Sequence, residues 1–289
     1  MSSRNLIRFD WAINRLLRNK ADYLVLEGFL SELLKDTIKI DSILESEGNK
    51  QYANDKLNRV DMLVRNSKKE LVIIEVQNEQ EYDYFHRMAY GSAKALTEYI
   101  SVGSPYKDIK KIYSINIVYF DLGQGVDYIY HGKTDFTGIH HKDKLLLSAK
   151  QTELLEKNEP SEIFPEYYVI KVNQFNDIAK DTLDEWIYYL KHNEIKDDFT
   201  AKGINKAKEL WRLDKLNKEE LAIYQKHLED LRYSASMTWT LKVEEEDKVR
   251  KDEAIKNKKE IAKSMKLKGL EIALIKELTG LEEDEINSL

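Results

Sequence analysis

The 289-residue sequence contains no cysteine, which excludes disulfides and thiolate metal centres and suits a protein kept in a reducing, cytoplasmic compartment. Proline occurs 3 times and glycine 11 times, so little in the chain interrupts regular structure and long irregular loops are not expected. No run of about 18 apolar residues occurs, as a membrane-spanning helix would require. The opening MSSRNLIRFDWAINRLL also lacks the apolar stretch of a signal peptide. A basic average is missing too, the formal net charge being −6. That argues against a protein whose main business is coating nucleic acid, but leaves room for an enzyme that meets DNA at one cleft.

What is present is 42% hydrophobic and 34% charged residues, the balance of a soluble, helix-rich globular protein. Residues 9–19 and 21–35 read as helices, and 36–56 as a short strand or turn followed by a loop. Strands are expected at 57–65 and 70–77, then a helix over 81–100 stopped by Gly103, Ser104 and Pro105. The β-branched and aromatic run 112–120 reads as a central strand, with further strand material at 126–132, 135–140 and 166–172. Beyond about residue 175 only helices are expected, at 177–193, 203–212, 217–232 and 241–266. The close, EIALIKELTGLEEDEINSL, reads as helix, turn and short helix, as in a helical hairpin or the front of a helix-turn-helix. The organisation is an α/β core over 1–175, a helical extension over 176–240 and a charged helical tail over 241–289. The long charged helix makes a homodimer through this C-terminal region reasonable.

One stretch breaks its own pattern. In NRVDMLVRNSKKELVIIEVQ, residues 58–77, two strands joined by a polar turn each carry an acid among apolar residues. Folded as an antiparallel hairpin about Lys68, Val60 meets Val76, Met62 meets Ile74 and Val64 meets Val72, which builds one apolar face. Asp61 then falls opposite Glu75, and Gln77 lies on the same face two residues on. Two carboxylates at cross-strand distance repel unless a cation lies between them. Mg²⁺ prefers oxygen ligands and keeps an open side for water or phosphate, so it would resolve the conflict. Ordinary ion pairs to Lys56, Arg59, Arg65, Lys68 or Lys69 are the bland alternative. An acid within LVIIEVQ, apolar enough for a sheet interior, weighs against it. His140 and His141 point to opposite sides if extended, which disfavours a shared histidine metal site.

Asp61, Glu75 and Gln77, followed by HRMAYGSAKALTEYISVGSPY and IYSINIVYF, together resemble the Rpn family of recombination-promoting nucleases, also labelled putative transposases, within the PD-(D/E)xK superfamily. The similarity runs from about residue 9 to about 175. It implies a restriction-endonuclease-like α/β fold, a mixed sheet flanked by helices, and a Mg²⁺- or Mn²⁺-dependent endodeoxyribonuclease acting on DNA. It further implies that Asp61 and Glu75 are metal ligands and that Glu27 is an additional metal-binding glutamate. Gln77 stands where the broader superfamily has lysine, and Arg87, Tyr90 and Arg59 are candidate substrate contacts. The missing lysine leaves a second reading open, a nuclease-like scaffold that binds DNA or protein without cutting.

Overall fold

The computed structural model describes residues 6–18, 23–44, 61–100 and 103–289, with backbone alone at 14–18. These residues begin with helices α1 (Phe9–Arg18) and α2 (Leu24–Leu34). Strands β1 (Ile40–Leu44), β2 (Met62–Asn66) and β3 (Leu71–Gln77) follow, then helix α3 (Tyr84–Glu98). Strands β4 (Ile112–Val118) and β5 (Ile129–Gly132), helix α4 (Ala149–Leu155) and strand β6 (Glu166–Lys171) complete the sheet region. Five more helices end the chain: α5 (Thr182–His192), α6 (Ile204–Leu210), α7 (Lys218–Leu267), α8 (Ile272–Thr279) and α9 (Glu283–Asn287).

The six strands form one mixed sheet in the order β1-β2-β3-β4-β6-β5. β2 and β3 pair antiparallel with Met62 opposite Ile74, Leu63 opposite Ile73 and Val64 opposite Val72, the register that the hydrophobic alternation requires. β3 then pairs in parallel with β4, setting Glu75 beside Asn116 and Gln77 beside Val118. The parallel step needs a crossover, and α3 provides it. Its inner face packs Ala95 on Leu63, Leu71, Ile73 and Ile112, and Tyr84 and Met88 on Val118 and Val169. Residues 71, 73, 75 and 77 of β3 therefore share the α3-facing side. The opposite side is apolar as well, with Val64, Val72, Ile74, Ile115 and Ile117 fully buried.

On the other layer, α1, α2 and α5 gather a set of edge-to-face aromatic rings. Phe9 meets Phe29 at 5.4 Å between centroids, and Phe29 meets Trp186 at 5.7 Å. The Tyr189 hydroxyl donates to the Ile7 carbonyl at 2.7 Å. Each buried ring thus adds apolar area, and the tyrosine's polar end is satisfied. α2 meets α6 through two glycines: a Cβ on Gly28 would stand 2.2 Å from the Lys202 carbonyl oxygen, and Gly203 takes a φ of +79°.

Three expectations differ from what is observed. Residues 135–140 form no strand; Thr137 makes an isolated bridge to Lys144, Ile139 is exposed, and Phe136 keeps contact with Phe164, ring centroids 5.5 Å apart, at the surface. α4 was not anticipated, although Ser148 and Gln151 form the capping box that starts it. The helices expected at 217–232 and 241–266 are one 50-residue helix, α7, because YSASMTWT between them contains neither glycine nor proline. The chain divides into two compact units, Met1–Lys218 and Glu219–Leu289. In the second, Ala262, Ile275, Leu281 and Ile286 form a small core between the end of α7 and the α8–α9 hairpin.

The Gly28 contact yields a stability prediction. Gly28→Ala should lower the unfolding free energy by about 2 kcal/mol, because the methyl meets backbone that cannot rotate away. Urea denaturation of the variant checks it, and an unchanged midpoint would disprove the close approach.

Candidate active site

The site is assembled at one end of β3. Asp61 occupies a bend immediately before β2, where its Oδ2 accepts a hydrogen bond from the Val76 backbone N–H at 2.6 Å. A side-chain carboxylate, not a strand carbonyl, satisfies that donor. Glu75 points toward α3 and is 3% exposed. Its Oε2 is buried and accepts no hydrogen bond from the described residues, an arrangement that costs free energy for a charged oxygen. Among the described residues the cation paired with it is Arg87 on α3, whose Nε lies 3.4 Å from that oxygen.

The electrostatics follow from this crowding. Burial pushes the Glu75 carboxyl up to about 7; Arg87 works against the rise, while the charges of Asp61 and Glu81 add to it. Asp61 is also raised, first by burial, against the Val76 hydrogen bond and Arg87, with the negative charge of Asp10 adding to the shift. The Asp61 charge thus adds to the rise at Glu75, as a carboxylate beside another in a desolvated corner does.

Polar side chains extend the site on both sides. Tyr84, fully buried under the Arg87 guanidinium at 5.9 Å, donates through its hydroxyl to Asn116 Oδ1 at 3.3 Å. Burial also drives its phenol well above the usual tyrosine range. Gln77 donates through Nε2 to Glu81 Oε1 at 2.7 Å. Beyond the end of β3, Asn78 accepts from Arg8 Nη2 at 3.0 Å and donates to Asp10 Oδ2 at 3.4 Å, while Arg8 and Asp10 form an ion pair at 3.2 Å.

Of the residues singled out from the sequence, Asp61, Glu75, Gln77 and Arg87 come together. Glu27 does not join them. Its Oε1 accepts from the Ile40 N–H at 2.9 Å and its Oε2 pairs with Lys39 at 2.9 Å, so this buried glutamate ties α2 to the start of β1. This placement has a physical basis: a helix carboxylate facing a strand N–H that lacks a ladder partner is drawn to it. Among the described residues no group of three or more His, Cys, Asp or Glu is placed to hold a metal ion. Tyr90 is exposed on α3, and Arg59 lies outside the described residues. Glu81, Asp10, Asn78 and Asn116 escaped the sequence reading. Asp10 looks like an ordinary first-turn helix acid, and Glu81 like one of several acids in NEQEYD.

Two carboxylates with hard oxygen donors suit Mg²⁺ or Mn²⁺, which are often held by one or two carboxylates together with water and phosphate. The buried Glu75 oxygen, which accepts no hydrogen bond from the described residues, fits such a ligand. The family model described as PD-(D/E)XK nuclease family transposase matches residues 7–240. The chain belongs to this family. The fold is accordingly restriction-endonuclease-like, with its mixed sheet flanked by helices. Membership in the PD-(D/E)XK family supports a nuclease-like function, implies DNA as the substrate, and goes with the divalent metals such nucleases typically use. No curated protein and no solved structure matches the chain. Among the described residues no helix is long and apolar enough to cross a membrane.

The raised Glu75 carboxyl predicts a pH signature. Between about 4.5, its ordinary value, and about 7, the folded metal-free protein keeps a proton that the unfolded chain releases. Glu75 therefore subtracts stability as pH rises through that window, and the loss is complete above it. Glu75→Gln should gain on the wild type by on the order of 3 kcal/mol between pH 4.5 and pH 8. Urea unfolding of both proteins across this range checks it; a difference independent of pH would contradict the burial argument.

Proposed function

We propose that this protein is a metal-dependent DNA endonuclease in which Asp61 and Glu75 hold a Mg²⁺ or Mn²⁺ ion and Gln77 orients a water. The observation that carries the reading is the buried Glu75 oxygen left without a hydrogen bond beside a second desolvated carboxylate. A divalent ion supplies neutralisation of both acids and Lewis acidity toward a phosphodiester. The protein's own contribution is positional. Val76 N–H aims Asp61, the strand aims Glu75, and Gln77, with its Nε2 bound to Glu81, keeps its Oε1 to accept a hydrogen bond from a water. Arg87 places a positive charge where a phosphate would meet the two acids.

Asp61→Ala and Glu75→Ala, shown by circular dichroism to be folded, should each nick plasmid DNA with Mg²⁺ more than about 100-fold slower than wild type. Wild-type nicking by either variant defeats the assignment. The rival scaffold reading draws on Gln77, an amide that carries no positive charge. A calorimetric titration showing no Mn²⁺ binding at millimolar metal would favour it.

We also propose a homodimer formed through the C-terminal helices. What supports it is the uncharged stretch Tyr233–Leu241 of α7 in a chain that is 34% charged, where Tyr233, Met237, Trp239 and Leu241 are all exposed. Trp239→Glu should convert a dimer to a monomer in sedimentation velocity. A wild-type monomer at tens of micromolar would remove the proposal.

A further inference from the structure

Glu81 lies in the turn that leads into α3, and neither the hairpin pattern nor the family resemblance gave it a role. One of its two oxygens, Oε1, accepts both from Arg87 Nη1 at 2.8 Å and from Gln77 Nε2 at 2.7 Å. The other reach of the same guanidinium is different. Arg87 Nε stops 3.4 Å from Glu75 Oε2, and both of these buried atoms lack a hydrogen-bond partner. A guanidinium free to settle on a desolvated carboxylate closes to about 2.7–2.9 Å, often with two parallel hydrogen bonds. Here it is tethered to a neighbouring acid and falls short.

We infer that Glu81 is a positioning residue: by holding Arg87 and Gln77 on one oxygen, it keeps the guanidinium from closing on Glu75 and leaves that carboxylate open to a divalent cation. The inference rests on the reading of Asp61 and Glu75 as the metal-holding pair. With Glu81 removed, Glu75 becomes the nearest acid to Arg87, and an incoming cation must first break a charge-assisted hydrogen bond.

The test is Mn²⁺ calorimetry on the full chain as wild type, Glu81→Gln, Arg87→Gln and the double variant. Glu81→Gln should weaken Mn²⁺ binding about tenfold, the scale of one hydrogen bond to a charged group. Adding Arg87→Gln should restore most of that loss, whereas the same change in the wild-type background should have a much smaller effect. The coupling between the two sites is the result that matters. If Arg87→Gln shifts affinity by the same factor in both backgrounds, Glu81 acts through its own charge or as a ligand, and the inference is overturned. It is overturned equally if Glu81→Gln leaves binding unchanged. A wild type that binds no Mn²⁺ instead removes the metal reading itself, so the two failures are told apart. Should Glu81→Gln not fold, Glu81→Ala carries the same comparison.

Discussion

A carboxylate buried on a central strand of a sheet has to be answered by something, and Glu75 is answered incompletely. One guanidinium stands at ion-pair distance from its Oε2 but not in hydrogen-bond contact, and that oxygen accepts no hydrogen bond from the described residues. The neighbourhood is arranged around that deficit. Asp61 is turned inward by the Val76 N–H, Tyr84 fills the floor, and Glu81 restrains the arginine. A structure that only needed stability would replace such an acid with an apolar side chain, as every other buried position of β3 has done. Retaining the acid makes sense where a cation and a phosphate are to be received.

The rest of the first unit works to hold this corner still. The parallel pairing of β3 with β4 carries the chain over the sheet as α3, and that crossover brings Arg87 down beside Glu75. Behind the sheet, α2 is fastened twice. Glu27 grips the entry to β1, and Gly28 lets the backbone at Lys202 and Gly203 approach closely. Sites built on strands and packed helices hold their geometry better than sites on loops, and the two acids sit at or beside strand ends.

Much of this was legible in the order of residues. The alternation in β2 and β3 predicted their register, and the one acid interrupting LVIIEVQ marked the strand position where a carboxylate is buried. What could not be read was which acids would converge. Glu27, given a metal-binding role by resemblance, was claimed by a nearby strand N–H. Glu81 and Asp10, unremarkable in their local sequence, were brought close by the crossover and by α1. Carboxylates look alike along a chain; only their neighbours in space distinguish a ligand from a cap or a tether.

Residue order was enough for the local periods: period-two alternation places Glu75 and Gln77 on one face of one strand, and the absence of glycine and proline between residues 233 and 240 lets α7 run unbroken. Those outcomes depend on covalent spacing and steric preference, which act over a few residues. The tertiary structure alone decided that Arg87 would stand over Glu75, that Glu81 would hold it there, and that Glu27 would face β1. These pairings join residues through helix crossovers and layer packing, where the cost of burying charge is settled by the whole set of surrounding groups and not by any neighbour in the chain.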